Sequence, residues 1–280
     1  MKIGIIGGSG MEKLEVFQDA KEIIMKTKFG KPSSPITWGK INGIDVFILS
    51  RHGTNHEIMP SKVNYRANIS ALKRLGVTHI LATTACGSLN EKIRPGDFVI
   101  LNQFIDRTTK RESTFFDGKL NKRVCHIGMA EPFCEKLKNI LIKTGKELKS
   151  KKPKGFLGCS EMRPFPTLKV HPKGTVVTIE GPRFSTRAES GLFRSWKADV
   201  INMSTVPECV LAREAGICYS AIAMSTDYDC WHKSEPVTLE IVLNVMKKNA
   251  ENVTKLLVSA IPKINWEECS CKEAIKSALI

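Results

Sequence analysis

An α/β fold, a single domain on a mixed central β-sheet flanked by helices, is what this 280-residue chain predicts. Three observations carry that expectation. Short apolar runs of strand length alternate with longer stretches of helical period. The strand-like runs end repeatedly in Gly, Arg, Thr, Ser or Asp, the residues that α/β proteins gather at the carboxyl ends of strands. No Pro/Ser-rich linker and no internal repeat divides residues 1–280, so one domain is expected.

The elements follow in order. Lys2–Ile6 reads as a strand running into the tight turn Gly7-Gly8-Ser9-Gly10. Asp45–Ser50 is a second strand, ending at Arg51-His52-Gly53. Asn64–Leu75 has a helical pattern closed by Gly76, and the apolar strand Thr78–Thr84 leads into Ala85-Cys86-Gly87. Asp97–Leu101 follows the turn Arg94-Pro95-Gly96, and Ala130–Lys149 is helical. Residues 149–171 are rich in Lys, Pro and Gly with weak periodicity, which predicts a long surface loop. Thr175–Ile179 is a strand ending in Glu180-Gly181-Pro182-Arg183, with Ser185 placed to cap the next helix. Asp199–Met203 is a strand, and Pro207–Ala215 a short helix begun by proline. Ile217–Met224 is an apolar strand that gives way to Thr226, Asp227 and Asp229. Thr238–Ile261 is a long amphipathic helix with Val242, Met246, Val253, Leu257 and Ala260 on one face.

Composition excludes several classes. A hydrophobic content of 42% and a charged content of 25% fit a globular domain. No apolar run approaches the roughly 20 residues needed to span a bilayer. The amino terminus is too short and Gly-rich for a signal-peptide core, so a cytoplasmic, and also nuclear, location is expected. The nine cysteines suit that compartment, being odd in number and scattered. No C-x-x-C pair occurs, which leaves zinc and thioredoxin-like readings weak and no metal expected. Cys269-Ser270-Cys271 could form a local redox pair, but is expected to be an exposed tail with incidental thiols. The net charge of +15 can draw small anions such as phosphate into a cleft. The lysines are dispersed apart from Lys149, Lys151, Lys152 and Lys154, and no RNP-type motif accompanies them, so nucleic acid is not the expected partner.

Chemistry is expected at the strand ends. Asp227 and Asp229, held among apolar and aromatic neighbours, are candidates for acids that keep a proton near neutrality; the competing reading is a helix cap or a partner for a surface lysine. Ser9 with its glycines, Arg51 with His52, Thr83-Thr84-Ala85, and Asn202-Met203-Ser204-Thr205 offer four loops of short donors around one arginine. That set describes an anion pocket rather than a nucleophilic triad, and neither a P-loop, a G-x-G-x-x-G nor a G-x-S-x-G elbow is present. Phe184 could stack on a flat heterocycle or pack in the core. His56 and His126 are further candidates.

Together these residues carry a resemblance. Residues 4–10 (GIIGGSG), 51–53 (RHG), 59–65 (MPSKVNY) and 83–89 (TTACGSL) are similar to the trimeric purine nucleoside phosphorylase family. So are 95–97 (PGD), 103–108 (QFIDRT), 180–185 (EGPRFS), 202–208 (NMSTVPE) and 226–231 (TDYDCW). The match covers nearly the whole chain except 149–171 and about the last twenty residues. The Asp227/Asp229 pair resembles the branch that cleaves 5′-methylthioadenosine, whereas branches using 6-oxopurines typically carry Asn at the base-reading position.

The resemblance implies inorganic phosphate as co-substrate and nucleophile, with no cofactor and no metal, bound by Ser9, Arg51, His52, Thr84, Ala85 and Ser204. Met203 would line the ribose, Phe184 would pack on the base, and Thr226, Asp227 and Asp229 would read adenine. His56 and His126 would border the sugar and its 5′ side, and Leu239, Val242 and Leu243 would wall the methylthio group. His126 would reach a neighbouring subunit's site in a homotrimer; a share for the C-terminal tail through Leu279 is left open. The implied reaction yields adenine and 5-methylthioribose 1-phosphate. A broader phosphorylase that also takes adenosine or inosine, and a non-catalytic nucleoside- or RNA-binding protein, are the alternatives. Ser9 and Ser204 stand where threonine is common in this branch, which predicts looser phosphate binding or altered sugar tolerance.

Overall fold

In a computed structural model, β1 (Lys2–Gly7) sends Ile3 and Ile5 to one face of a sheet and Ile6 to the other. The structure describes residues 1–7, 17, 20–118, 122–150, 168–232, 239–265 and 269–280, with 150 and 239–244 described by backbone alone. Ser9 and most of the expected 149–171 excursion therefore lie outside the described residues, as do the side chains of Leu239, Val242 and Leu243.

The period-two alternation repeats through the sheet. In β4 (Ile44–Ser50), Val46 and Ile48 share the face of Ile3, while Phe47 and Leu49 share that of Ile6. In β11 (Cys218–Asp227), Ile222 and Met224 oppose Ala221 and Ala223 in the same way. Two cores result. One packs Ile69 and Leu72 of α1 (Tyr65–Arg74) with Cys209 and Leu211 of α4 (Thr205–Glu214). The other packs Leu137 and Leu141 of α2 (Glu135–Ser150) with Val253, Leu257 and Ala260 of α5 (Leu239–Ala260). Strands buried on both faces between helices are what an α/β sheet requires.

The strands run in the order β2 (Lys21–Ile23), β3 (Ile36–Ile41), β4, β1, β5 (His79–Ser88), β10 (Val200–Asn202), β9 (Thr175–Ile179), β7 (Gln103–Arg107). The pairs β1–β4, β1–β5, β9–β10 and β7–β9 are parallel, and β2–β3, β3–β4 and β5–β10 antiparallel, so the sheet is mixed. A branch leaves this path at β5, which also pairs in parallel with β11; β11 carries β6 (Phe98–Ile100), and β6 carries β8 (Val170–His171). Over its first nine residues β5 pairs with β11, and at Gly87 and Ser88 it turns to β10. The sheet forks there, and a fork leaves a crevice between the diverging strands.

Several sequence expectations are corrected. The first helix begins where expected, with the Asn64 side chain accepting from the Ala67 N–H at 3.0 Å. Ser185 does not cap α3 (Arg187–Ser195); Thr186 does, in a reciprocal capping box with Glu189. The helix expected from Ala130 starts only at Glu135, because Pro132 and the buried Phe133 and Cys134 precede it in irregular chain. The tail is not a strand of exposed thiols. Cys271 is buried and Cys269 half-buried, and both lie against Cys134 and Cys218. The bridge between Cys125 and Leu279 ties the last residues back to the chain segment that carries His126.

Candidate active site

A cavity of about 430 Å³ opens in the fork of the sheet. Its walls come from the ends of four strands: Arg51 and His52 after β4, Thr84 to Gly87 in β5, Asn202 to Ser204 after β10, and Thr226, Asp227 and Asp229 from the end of β11. Phe184 and Met203 face it from two loops, and His56 stands at its side. His126 is not among the lining residues; its backbone N–H donates to the Ala278 carbonyl at 2.8 Å. Met246 of α5, read from sequence only as a buried-face residue, also lines the cavity.

One end of the cavity suits an anion. Arg51 is fully buried, and its Nε and Nη2 donate to the two oxygens of Glu208 at 2.7 and 2.8 Å. Nη1 donates to the Thr83 carbonyl at 2.9 Å. Burial works against the guanidinium charge, but Glu208 outweighs it and holds the pKa above its ordinary value. The Nε/Nη2 edge of the guanidinium is thus occupied by Glu208, and an anion would meet the remaining Nη protons. Sequence reading missed Glu208, since an acid inside a short helix ordinarily faces solvent. It also accepts from the Tyr219 hydroxyl at 2.8 Å.

His52 is held neutral. Burial, then the neighbouring Arg51 charge, lowers its pKa to about 4, so the ring is neutral at pH 7. Its Nδ1 lies 2.9 Å from the Ile58 carbonyl, which can only accept, so Nδ1 carries the proton and Nε2 is an acceptor. A neutral His52 in this tautomer takes a hydrogen bond from a protonated phosphate oxygen or a sugar hydroxyl; it does not supply one. Beside it, Thr84 Oγ1 and Ser204 Oγ sit 2.9 Å apart, both buried. Asn202 Nδ2 donates to Thr84 Oγ1 at 3.1 Å and to Thr205 Oγ1 at 2.7 Å, while Thr178 Oγ1 donates to Asn202 Oδ1 at 2.9 Å. This chain of amide and hydroxyls fixes the two hydroxyls at the cavity wall before any ligand arrives.

The other end presents the two carboxyls. Asp227 Oδ2 accepts from Thr226 Oγ1 at 2.6 Å, and Oδ1 accepts from the Asp229 N–H at 2.8 Å. Burial nevertheless pushes the Asp227 carboxyl up from its ordinary value. Burial, with the charge of Asp227 adding to it, raises Asp229 as well. Asp229 Oδ2 is buried and makes no full hydrogen bond, although the nearby Ser190 hydroxyl offsets part of the effect of burial on this carboxyl, and the residue sits at φ +53°, in the left-handed region. A buried acceptor left open at a cavity wall is a place for a ligand N–H. Close approach is possible because residue 87 is glycine. A Cβ there would stand 3.0 Å from Asp227 Oδ1 and 3.3 Å from Asp229 Cβ.

Comparison with known proteins agrees with this geometry. Residues 2–262 match the family model of the phosphorylase superfamily. An S-methyl-5′-thioadenosine phosphorylase from Xenopus tropicalis is 53% identical over 275 residues, 96% of this chain and 92% of that protein. Its counterpart from Aedes aegypti is 52% identical, with the same coverage of both chains. The solved methylthioadenosine phosphorylase of Schistosoma mansoni with adenine bound superimposes with a TM-score of 0.87 at 45% identity, covering 99% of this chain and 96% of that one. A variant of the adenosine/methylthioadenosine phosphorylase from the same organism, with methylthioadenosine bound, gives 0.86 at 43% identity over 99% and 98%.

Proposed function

This chain belongs to the phosphorylase superfamily, and we propose that it cleaves 5′-methylthioadenosine with inorganic phosphate, releasing adenine and 5-methylthioribose 1-phosphate. The observation that carries the reading is the pair of buried carboxyls, each with its pKa raised by burial, at one end of a cavity whose other end is lined by Arg51, Thr84 and Ser204. The names carried by relatives at about half identity support it.

Adenine offers an N–H at its exocyclic amine and an acceptor at N7. Asp227, whose hold on a proton burial strengthens, donates to N7, and Oδ2 of Asp229 accepts from the amine. A hydrogen bond or proton at N7 draws charge from the breaking glycosidic bond and makes adenine a better leaving group. A positioned acid of this kind is worth on the order of 10²–10⁴-fold. The sugar becomes oxocarbenium-like and meets phosphate on the opposite face, held by Arg51, by the hydroxyls of Thr84 and Ser204, and at the wall formed by Ala85. Ser9 belongs with this group. His52 Nε2 accepts from a protonated oxygen of phosphate or sugar. Phe184 packs on the base and Met203 on the ribose. No step requires a metal or a cofactor, because positive sugar and negative phosphate supply the electrostatic match.

A homotrimer completes the site in this reading. His126 would face a neighbouring copy, with Leu239, Val242 and Leu243 lining the 5′ side. Adenosine is the second reading, favoured by Ser204, whose hydroxyl lacks the methyl that orients a threonine. Phosphate-dependent adenine release from methylthioadenosine, compared with release of base from adenosine and inosine, tests both. Methylthioadenosine is expected to lead and inosine to trail, since a 6-oxo base presents an acceptor to Asp229. A preference for inosine would overturn the assignment.

A further inference from the structure

We propose that Cys134, Cys218, Cys269 and Cys271 form a structural zinc site that fastens the C-terminal tail to the sheet. The four sulfurs lie within 4.8 Å of one another, drawn from three distant parts of the chain. Cys134 directly precedes α2, Cys218 opens β11, and Cys269 and Cys271 flank a single serine in a 3₁₀ turn of the tail. Cys218 and Cys269 stand 3.5 Å apart, and Cys134 and Cys269 3.6 Å. A tetrahedral Zn²⁺ with Zn–S bonds of about 2.3 Å sets its sulfurs about 3.8 Å apart. Those two contacts already match a tetrahedral edge, and the widest gap needs to close by at most about an ångström. A disulfide would demand about 2.05 Å.

The surroundings suit thiolate ligands. The thiols sit in or against an apolar core cluster, and S–H groups are weak donors and sulfur a weak acceptor. Replacing such contacts by four coordinate bonds is a large gain for a tail that buries little apolar surface. The Cys271 N–H donates to Cys269 Sγ at 3.4 Å, and the Leu137 N–H in the first turn of α2 points to Cys134 Sγ. Outer-shell donors of this kind orient thiolates and temper their charge. A Zn(Cys)₄ centre carries a net negative charge, and Lys272, next to Cys271 in the chain, supplies a cation beside it. Four soft ligands in a tetrahedral set select zinc or iron over oxygen-loving cations.

Two of the four ligands lie beyond residue 262, outside the stretch matched to the superfamily. None of the four cysteines lines the cavity, so the site stands apart from the phosphorolytic residues. It anchors the tail about ten residues before Leu279 pairs with Cys125 and so sets the register of that pairing. Metal analysis of the protein, purified in reducing buffer without chelator, is expected to find one zinc ion per chain. Substitution with Co²⁺ is expected to give the intense absorption of a tetrahedral thiolate site. The double variant Cys269→Ser/Cys271→Ser is expected to lose the zinc and to melt several degrees lower, roughly the shift of a lost local anchor in a chain of this size. If that variant does not fold, zinc release from the unaltered protein by a thiol-modifying reagent, followed with a chromogenic chelator, reads the same site. Metal-free protein with four titratable thiols or with disulfides in their place would overturn the proposal, as would zinc retained by the double variant. Iron in place of zinc would overturn the metal assigned.

Discussion

Asp227 shows how one carboxyl serves two opposed demands. Burial raises its pKa, so the folded protein holds the proton more tightly than the unfolded chain, whose carboxyl titrates near the ordinary 3.8. The sign follows: a raised folded pKa favours folding at low pH, and that advantage is lost as pH rises through the folded pKa. Asp227→Asn removes the titration and keeps an acceptor for the Asp229 N–H. The ligand-free variant is therefore expected to melt at or above the unaltered protein at pH 7, the difference shrinking as pH falls toward 4. Its kcat/KM for methylthioadenosine is expected to fall by about 10²–10⁴-fold. A variant that lost stability and kept its turnover would remove Asp227 from the acid role. The neighbouring Gly87 gives a second test. A methyl at residue 87 must displace Asp227 Oδ1 or Ile201, which it would approach to 3.0 and 3.2 Å. Gly87→Ala is expected to lower kcat/KM about tenfold for adenine nucleosides, because small misplacements of reacting groups are costly. The apparent affinity for phosphate, measured separately, should hold.

Among the elements, α4 is bound to the sheet by a charge as well as by its apolar face. Glu208 of α4 accepts both prongs of Arg51 from the end of β4 and the hydroxyl of Tyr219 from β11, all of them buried. Removing one partner of such a pair leaves an uncompensated charge, which costs about 3–5 kcal/mol. Glu208→Gln is thus expected to destabilise the protein by that order in denaturant unfolding. Because the freed Arg51 charge lies at the cavity wall, added phosphate should raise the melting temperature of the variant more than that of the unaltered protein. Equal phosphate responses would separate Glu208 from the anion site. Arg111 plays a similar part for the loop that carries Phe184. It donates to Glu180, to the Ile179 and Glu180 carbonyls and to the Val206 carbonyl, and so sets the path of the chain at the cavity's edge.

These two clusters also mark the limit of what the amino-acid order reveals. Strands β1, β4, β5, β9 and β11 and helices α1 and α5 are legible within a few residues, because their apolar periods and terminal Gly, Asn and Asp residues act locally. Strands β2, β3 and β7 are not. Lys21 and Glu22 are exposed, Ile36–Ile41 is interrupted by Gly39, and Gln103–Arg107 reads as a polar motif, so pairing with a neighbour rather than local period makes them strands. The strand-end residues of the candidate site are legible because each follows an apolar run. Glu208 and the four-cysteine cluster are not, since each depends on contacts between residues that are dozens of positions apart, and the tautomer of His52 is not, since it rests on how a local turn aims the Ile58 carbonyl.

For the molecule as a whole, a net charge of +15 sits on a protein whose proposed substrates are one neutral nucleoside and one anion. A positive field raises the local concentration of phosphate and leaves methylthioadenosine unaffected. The interior end of the cavity adds little net charge of its own, since Glu208 neutralises Arg51. Long-range attraction by the dispersed lysines should therefore supply a measurable part of phosphate capture. Screening acts over about 10 Å at 0.1 M salt, so that part is removable. Raising sodium chloride from low to about 0.5 M, where the screening length is only a few ångströms, is expected to raise the KM for phosphate several-fold while the KM for methylthioadenosine changes little. Chloride competing at the anion end would instead disappear when a bulky anion replaces it at equal ionic strength, which distinguishes site occupancy from screening. Salt-insensitive phosphate kinetics would reassign the excess charge to another partner, and salt-sensitive RNA binding measured in parallel would say which.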